Sequence, residues 1–219
     1  TYVERDVRQI LRVRDLSTFT RFIRLCAARS GQLLNISSLA ADAGISQTAA
    51  RQWLSVLEAS YVLFLLQPHH SNYGKRLIKS PKLFFHDTGL AAWLLGIDDV
   101  EQMNIHSSRP ALFETLIVAE AVKSRLNRGK PHGCYFWRDH AGLEVDLVME
   151  TGRGLLPVEI KSGQTIASDW FKGLHRWQKM AANTRQAQLV YGGDRSFVRS
   201  GVKCQSWRET DFDGQRTKP

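Results

Sequence analysis

Two carboxylates and one ammonium group fall on two consecutive predicted strands. Apolar and polar side chains alternate from 144 to 150, a Gly-rich turn follows, and 155–161 runs back, which predicts a β-hairpin. Asp146 is on the first strand, while Glu159 and Lys161, two residues apart, share one face of the second. Carboxylate oxygens bind hard divalent cations, and a neighbouring lysine places positive charge near a phosphate. The pattern therefore predicts a candidate Mg²⁺ site that acts on a phosphodiester.

The same residues also have a purely structural interpretation. A lysine and two carboxylates at the end of a sheet are typical of an exposed strand terminus, where opposite charges neutralise one another. Glu114 has two interpretations as well. It falls in the predicted first turn of an amphipathic helix over 111–126, where a carboxylate stabilises the helix dipole. Because this helix precedes the strand pair, Glu114 is also a candidate third ligand.

Composition and charge limit the possible partners. The 219 residues carry 30 Lys and Arg against 21 Asp and Glu, a formal net charge of +9, and the pI is about 9.7. This excess favours a polyanionic partner such as DNA, and the alternative is a basic soluble surface without such a partner. No apolar run approaches the roughly 20 residues of a membrane span, so we expect no membrane partner. Three separated cysteines without a CxxC motif favour the reducing cytoplasm.

The first half of the chain predicts a winged helix. Ser46 can cap a helix over 47–59, which follows a shorter helix across the turn at 43–46, as in a helix-turn-helix. A strand over 61–66 and a partner over 76–78 predict the wing. Such a domain serves either DNA binding or protein interaction. For DNA binding, the expected contacts come from the second helix and from the wing region: Gln47, Thr48, Arg51, Gln52, Lys75, Arg76, Lys79 and Lys82.

Several motifs carry a resemblance to known proteins. Asp146, twelve intervening residues and then Glu159-Ile160-Lys161 resemble the PD-(D/E)xK nuclease motif, with Glu114 as an upstream helical acid. The chain as a whole is similar to the C-terminal half of a bacterial and archaeal family of AAA-type ATPases. In that half, a winged helix precedes a domain of unknown function with a restriction-endonuclease-like core. Further similar stretches are YVERDV at 2–7, FHDTGL at 85–90 and VEIKS at 158–162.

The resemblance implies a set of functional residues. Glu114, Asp146 and Glu159 are expected to hold Mg²⁺, and Lys161 completes the catalytic set by orienting the attacking water. The resemblance also implies a partner, the N-terminal ATPase domain of the same parent chain. ATP is expected only in that missing domain, because no GxxxxGK[ST] motif occurs in these residues. The chain begins with Thr1 and not with Met, so we expect a fragment.

These observations together predict the fold and two candidate functions. We expect an α/β protein, α+β overall, with an N-terminal winged helix followed by a restriction-endonuclease-like mixed sheet flanked by helices. The expected parts are a remnant of the ATPase lid helix at 1–15, the winged helix at 16–105 and a PD-(D/E)xK nuclease-like domain at 106–219, joined by a linker at 97–108. The first candidate function combines a DNA-binding winged helix with a Mg-dependent endonuclease module. The second is a non-catalytic DNA-binding or protein-interaction module on a nuclease-like scaffold.

Overall fold

The computed structural model describes residues 16–69, 80–210 and 212. The chain forms two compact units: the first comprises Thr1–Leu66 and Ser80–Ala119, and the second comprises Gln67–Lys79 and Glu120–Pro219. The predicted lid-helix remnant at 1–15 and the predicted wing strand at 76–78 lie outside the described residues. The domain boundary near residue 105 stays a prediction.

Three helices build the core of the first unit. They bury one face each because their apolar residues recur at helical spacing. Trp53 packs edge-on against Phe19 and Phe22, with ring centroids 5.3 and 5.2 Å away. The predicted cap at Ser46 is confirmed, since its hydroxyl accepts a hydrogen bond from the backbone N–H of Ala49. The three helices are α1 (Leu16–Ala28), α2 (Ile36–Ala43) and α3 (Gln47–Ala59).

Among the described residues, a two-stranded sheet, two further helices and the N-terminal part of a third complete the first unit; the third helix belongs to the second unit from Glu120 onward. Strand β1 (Leu63–Leu66) pairs antiparallel with β2 (Lys82–Phe85), so β2 is the described partner of β1. The stretch 97–108, predicted as a linker, contains a helix capped by Asp99. This helix buries no residue, so it lacks the amphipathic pattern that reveals a helix in sequence. The helices are α4 (Thr88–Leu94), α5 (Val100–Ile105) and α6 (Arg109–Leu126).

The second unit contains a six-stranded mixed sheet. Its strands follow the order β3-β4-β5-β6-β8-β7, and only the β5–β6 and β6–β8 pairs are parallel. A 3₁₀ turn (Ser168–Phe171) and helix α7 (Lys172–Met180) connect β5 to the parallel strand β6. The strands are β3 (Cys134–Arg138), β4 (Glu144–Thr151), β5 (Gly154–Lys161), β6 (Gln188–Tyr191), β7 (Phe197–Arg199) and β8 (Val202–Ser206).

The expected fold class is confirmed, since helices precede a mixed sheet with a crossing helix. The winged-helix and restriction-endonuclease-like assignments are finer than this and stay predictions. Helix α7 is fixed to the sheet by apolar packing, in which the rings of Trp137 and Trp177 meet edge-on at 5.7 Å. No helix among the described residues is long and apolar enough to span a bilayer.

Candidate metal centre

A β-bulge in β4 determines where Asp146 lies. The register of β3 with β4 steps from Tyr135↔Val148 to Trp137↔Val145, so two steps along β3 match three along β4. Asp146 falls inside this irregular step. A bulge bends the strand and re-aims the side chains at the extra residue, and such features recur beside active sites. Because of the bulge, the side chain of Asp146 does not follow the regular alternation of side chains between the two faces of β4.

The Asp146 carboxylate accepts a backbone hydrogen bond from the neighbouring strand. The regular pairing of β4 with β5 ends at Leu147↔Val158. Beyond that pair, Oδ2 of Asp146 accepts a hydrogen bond from the backbone N–H of Ile160 at 2.8 Å. This bond fixes the orientation of a carboxylate that is only 7% exposed.

Lys161 joins the two predicted carboxylates. Its Nζ lies 2.5 Å from Oε1 of Glu159 and 3.4 Å from Oδ2 of Asp146. The Lys161 side chain is 33% exposed, while Glu159, like Asp146, is 7% exposed. Three of the four residues of the predicted catalytic set thus meet at the end of β5. When both carboxylates are ionised, two negative charges face one positive charge.

Glu159 has a buried oxygen that lacks a donor. Among the residues that the structure describes, none donates a hydrogen bond to Oε2 of Glu159. Burial raises the pKa of the Glu159 carboxyl well above its usual value, and the charge of Asp146 raises it further, whereas Lys161 lowers it. A buried, unpaired carboxylate oxygen is costly unless a cation or donor meets it. The carboxylate oxygens around Lys161 therefore form a set of ligands that suits a hard divalent cation.

Sequence analysis missed Glu144 as a member of this centre. One carboxylate oxygen of Glu144 and one of Asp146 lie within 4.8 Å of each other. The charge of Glu144 contributes to the raised pKa of Glu159. On its other side, Oε2 of Glu144 lies 3.4 Å from Nη1 of Arg138. The Glu-x-Asp spacing of Glu144 and Asp146 was the signal that could have revealed it.

Gly173 was also missed, and it brings α7 against the centre. A Cβ atom at Gly173 would lie 1.9 Å from the backbone oxygen of Glu144 and 3.6 Å from Oε2 of Glu159. The first distance is far below van der Waals contact, so only glycine permits this approach of helix to strand. A glycine inside a helix, where it is otherwise unfavourable, was the available signal.

Glu114, the fourth residue of the predicted set, lies in the first unit and forms an ion pair there. Its Oε1 is 2.9 Å from Nζ of Lys82, and the two side chains are 17% and 4% exposed. The helix-dipole interpretation of Glu114 is wrong, because α6 begins at Arg109 and Glu114 is not in its first turn. Lys82, one of the expected DNA contacts, has its ammonium buried in this ion pair, and its contact with DNA stays a prediction. The role of Glu114 as a metal ligand stays a prediction.

The remaining predicted DNA contacts divide into two groups. Four polar side chains are exposed along α3, as a groove-reading surface requires: Gln47, Thr48, Arg51 and Gln52. The three cations predicted near the wing lie outside the described residues: Lys75, Arg76 and Lys79. Contact with DNA stays a prediction for all of them.

The buried Glu159 predicts an unusual pH dependence of stability in metal-free protein. Its pKa is raised in the folded state, so the unfolded state releases its proton first, from about pH 4.3 upward. Folding therefore loses stability as pH rises from there through the folded-state pKa. We expect Glu159→Gln to increase the urea midpoint at neutral pH and to leave it unchanged in acid, where both states are protonated. Urea titrations in EDTA measure this, and a midpoint that falls at neutral pH contradicts it.

Comparison with known proteins gives the chain a broader context. The family model DUF8612, a domain of unknown function, matches residues 1–101, and DUF4143, also a domain of unknown function, matches residues 109–209. DUF4143 is found in proteins associated with AAA ATPases. The chain therefore has an ATPase-associated context.

Two curated relatives are themselves uncharacterized. Protein Rv2008c of Mycobacterium tuberculosis and protein Mb2031c of Mycobacterium bovis are each 33% identical to this chain over 165 residues, which is 75% of this chain. The chain spans only 36% of the length of each relative. Among solved structures, a half-complex of Thermococcus gammatolerans McrB AAA+ hexamers with bound McrC is similar at 13% identity and a TM-score of 0.30. That alignment covers 86% of this chain and 70% of the other.

Proposed function

We propose that the second unit is a divalent-metal-dependent phosphodiesterase that cleaves DNA. The observation that carries the proposal is the buried oxygen Oε2 of Glu159, which has no donor among the described residues although Oε1 pairs with Lys161. Such an oxygen is costly in a cluster that serves only to neutralise charge at a strand end. A bound cation gives this oxygen a partner and offsets the repulsion between Glu159 and Asp146.

The residues of the centre have separate tasks in this proposal. Asp146, fixed by the N–H of Ile160, and Glu159 supply oxygen ligands. When bound, Mg²⁺ polarises the phosphate and lowers the pKa of a bound water. Lys161 is one-third exposed, so its ammonium can reach the solvent and orient the attacking water or contact the phosphate. Glu144 adds negative charge that strengthens cation binding, and Arg138 holds its carboxylate in place.

The wider context of this activity is part of the proposal. We propose that ATP is bound and hydrolysed in a separate ATPase domain of the parent chain. This ATPase domain is the proposed partner of the residues described here. The exposed face of α3 then contributes to holding DNA. Cys26, Cys134 and Cys204 are buried free thiols, which suits the reducing cytoplasm as the site of action.

One observation favours the second candidate function, a non-catalytic binding module. The acid that the nuclease motif draws from the preceding helix, Glu114, is paired with Lys82 in the first unit. An acid neutralised by a buried lysine is a poorer ligand than an open carboxylate. On this reading, the centre stabilises the sheet and the chain binds DNA or a protein without cutting it.

Removal of the metal distinguishes the two candidate functions, nuclease and non-catalytic binding module. We expect the purified chain to nick or linearise plasmid DNA with Mg²⁺ or Mn²⁺ and to stop when EDTA is added. A cation that binds only the folded state at one hundred times its Kd stabilises that state by about 2.7 kcal/mol, so Mn²⁺ is also expected to raise Tm. Asp146→Asn should remove both effects. If neither cleavage nor a Tm shift is seen on supercoiled, linear or branched DNA, the binding module is the correct function.

A further inference from the structure

Helix α7 has a one-sided positive charge that its own structure does not explain. Lys172, Arg176 and Lys179 are all exposed, and their spacing of four and three residues places them on one face. We call these three residues the α7 stripe. The helix contains no acidic residue, so its like charges repel without internal compensation.

Several other cations of the protein are neutralised by acids. Ion pairs join Arg29 to Asp42, Lys82 to Glu114, Lys123 to Glu120, Arg138 to Glu144 and Arg208 to Asp194. Within the part of the chain that the structure describes, no ion pair involves any member of the α7 stripe. Asp169 is the nearest acid in sequence, on the preceding 3₁₀ turn, and it is not paired with Lys172.

The helix dipole explains only one of the three charges. Lys179 is in the last turn, where a cation is favourable. Lys172 is the first residue of α7, at the positive end of the dipole, where a cation is unfavourable. Arg176 is in the middle, where the dipole has little effect. The stripe therefore costs stability in the free protein, and a polyanion along α7 would offset that cost.

The position of the stripe relates it to the metal centre. Lys172 directly precedes Gly173, whose backbone touches Glu144 and lies near Oε2 of Glu159. From Lys172 to Lys179 the helix rises about 10 Å, which is long enough to meet more than one phosphate of a DNA strand. The stripe therefore begins at the end of α7 that packs against the metal centre.

We propose that the α7 stripe binds the phosphate backbone of DNA and leads it to the carboxylates of β4 and β5. The choice of DNA rests on the proposed function. Phosphate contacts of this kind position the nucleic acid without reading its sequence. They also release counterions, so each contact contributes to the salt dependence of binding.

The test compares two triple variants that remove the same charge. The first replaces the stripe: Lys172→Gln, Arg176→Gln and Lys179→Gln. The matched control replaces three other cations, none in an ion pair among the described residues: Lys130→Gln, Arg153→Gln and Arg185→Gln. Arg153 is in the turn between β4 and β5, and the backbone of Arg185 bonds to Leu155, so both lie at the end of β5 opposite Lys161. Urea midpoints confirm that both variants fold.

Binding is measured by fluorescence anisotropy with a labelled DNA duplex in EDTA, across a salt series. For the stripe variant we expect the slope of log Kobs against log salt to lose about 2.7 units, since each duplex contact contributes about 0.9. The control is expected to keep the wild-type slope. Equal slopes in the two variants overturn the inference. Binding is measured without metal, so it does not depend on cleavage. If the wild-type protein never cleaves DNA but the stripe variant still loses slope relative to the control, the proposed nuclease is wrong and the proposed DNA-binding surface is retained.

Discussion

Lys161→Ala is expected to reduce metal-dependent DNA cleavage by about 100- to 1,000-fold, the loss that follows removal of one preorganised hydrogen-bond donor to a developing negative charge. The ammonium sits between Glu159 and Asp146, at 2.5 and 3.4 Å, and it alone of the four centre residues in β4 and β5 is a cation. Without it, the attacking water loses its donor and the two carboxylates repel each other more strongly. Initial rates of plasmid nicking in Mg²⁺ measure the effect.

The control for this prediction is Lys123→Ala. Lys123 is also a lysine of the second unit in an ion pair, with Glu120, but both side chains are substantially exposed at 40% and 52%. We expect its cleavage rate to stay within twofold of wild type, because exposed pairs contribute little. Tm values of both variants distinguish lost chemistry from lost folding. Unchanged cleavage in Lys161→Ala would falsify the assigned role.

The largest expected effect on stability comes from the pair in the first unit. Glu114→Gln leaves the ammonium of Lys82 buried at 4% exposure without its carboxylate. Breaking a buried pair from one side costs about 3–5 kcal/mol, because the remaining charge stays desolvated. We expect the free energy of unfolding to fall by this amount in urea titrations at neutral pH.

Two further variants test whether the buried charge is the cause. Glu120→Gln breaks the exposed pair with Lys123 by the same chemical change, and we expect a loss of less than about 1 kcal/mol. The double variant Lys82→Met with Glu114→Leu removes both charges, and we expect it to recover most of the stability. If Glu114→Gln and Glu120→Gln cost the same, the burial argument is wrong.

The β4–β5 hairpin illustrates what the sequence could predict. Strand alternation and the turn at 151–154 are local signals, and the predicted strands agree with β4 and β5 within a residue or two. The meeting of Asp146, Glu159 and Lys161 follows from that hairpin. The bulge at Asp146 does not, because it depends on how β4 pairs with β3, and that register is set by tertiary packing.

Two features of the structure could not be predicted from the local sequence patterns. The partner of Lys82 is Glu114, 32 residues later, and nothing in either local sequence indicates the ion pair. Lys82 therefore looked like a surface cation, and Glu114 like an open acid. Helix α5 was missed for a different reason: Val100 and Ile105 are exposed, so it lacks an apolar face, and the cap at Asp99 was its main signal.

The missing side chain at Gly173 has a mechanical consequence. Where a helix rests on a strand through side chains, rotamer changes can absorb small shifts, but here the backbone of α7 rests directly on the carbonyl of Glu144. A force on α7 is therefore transmitted directly to β4. If DNA binds along this helix as proposed, tension in the DNA would therefore shift the backbone of β4 and with it the geometry of the proposed metal centre.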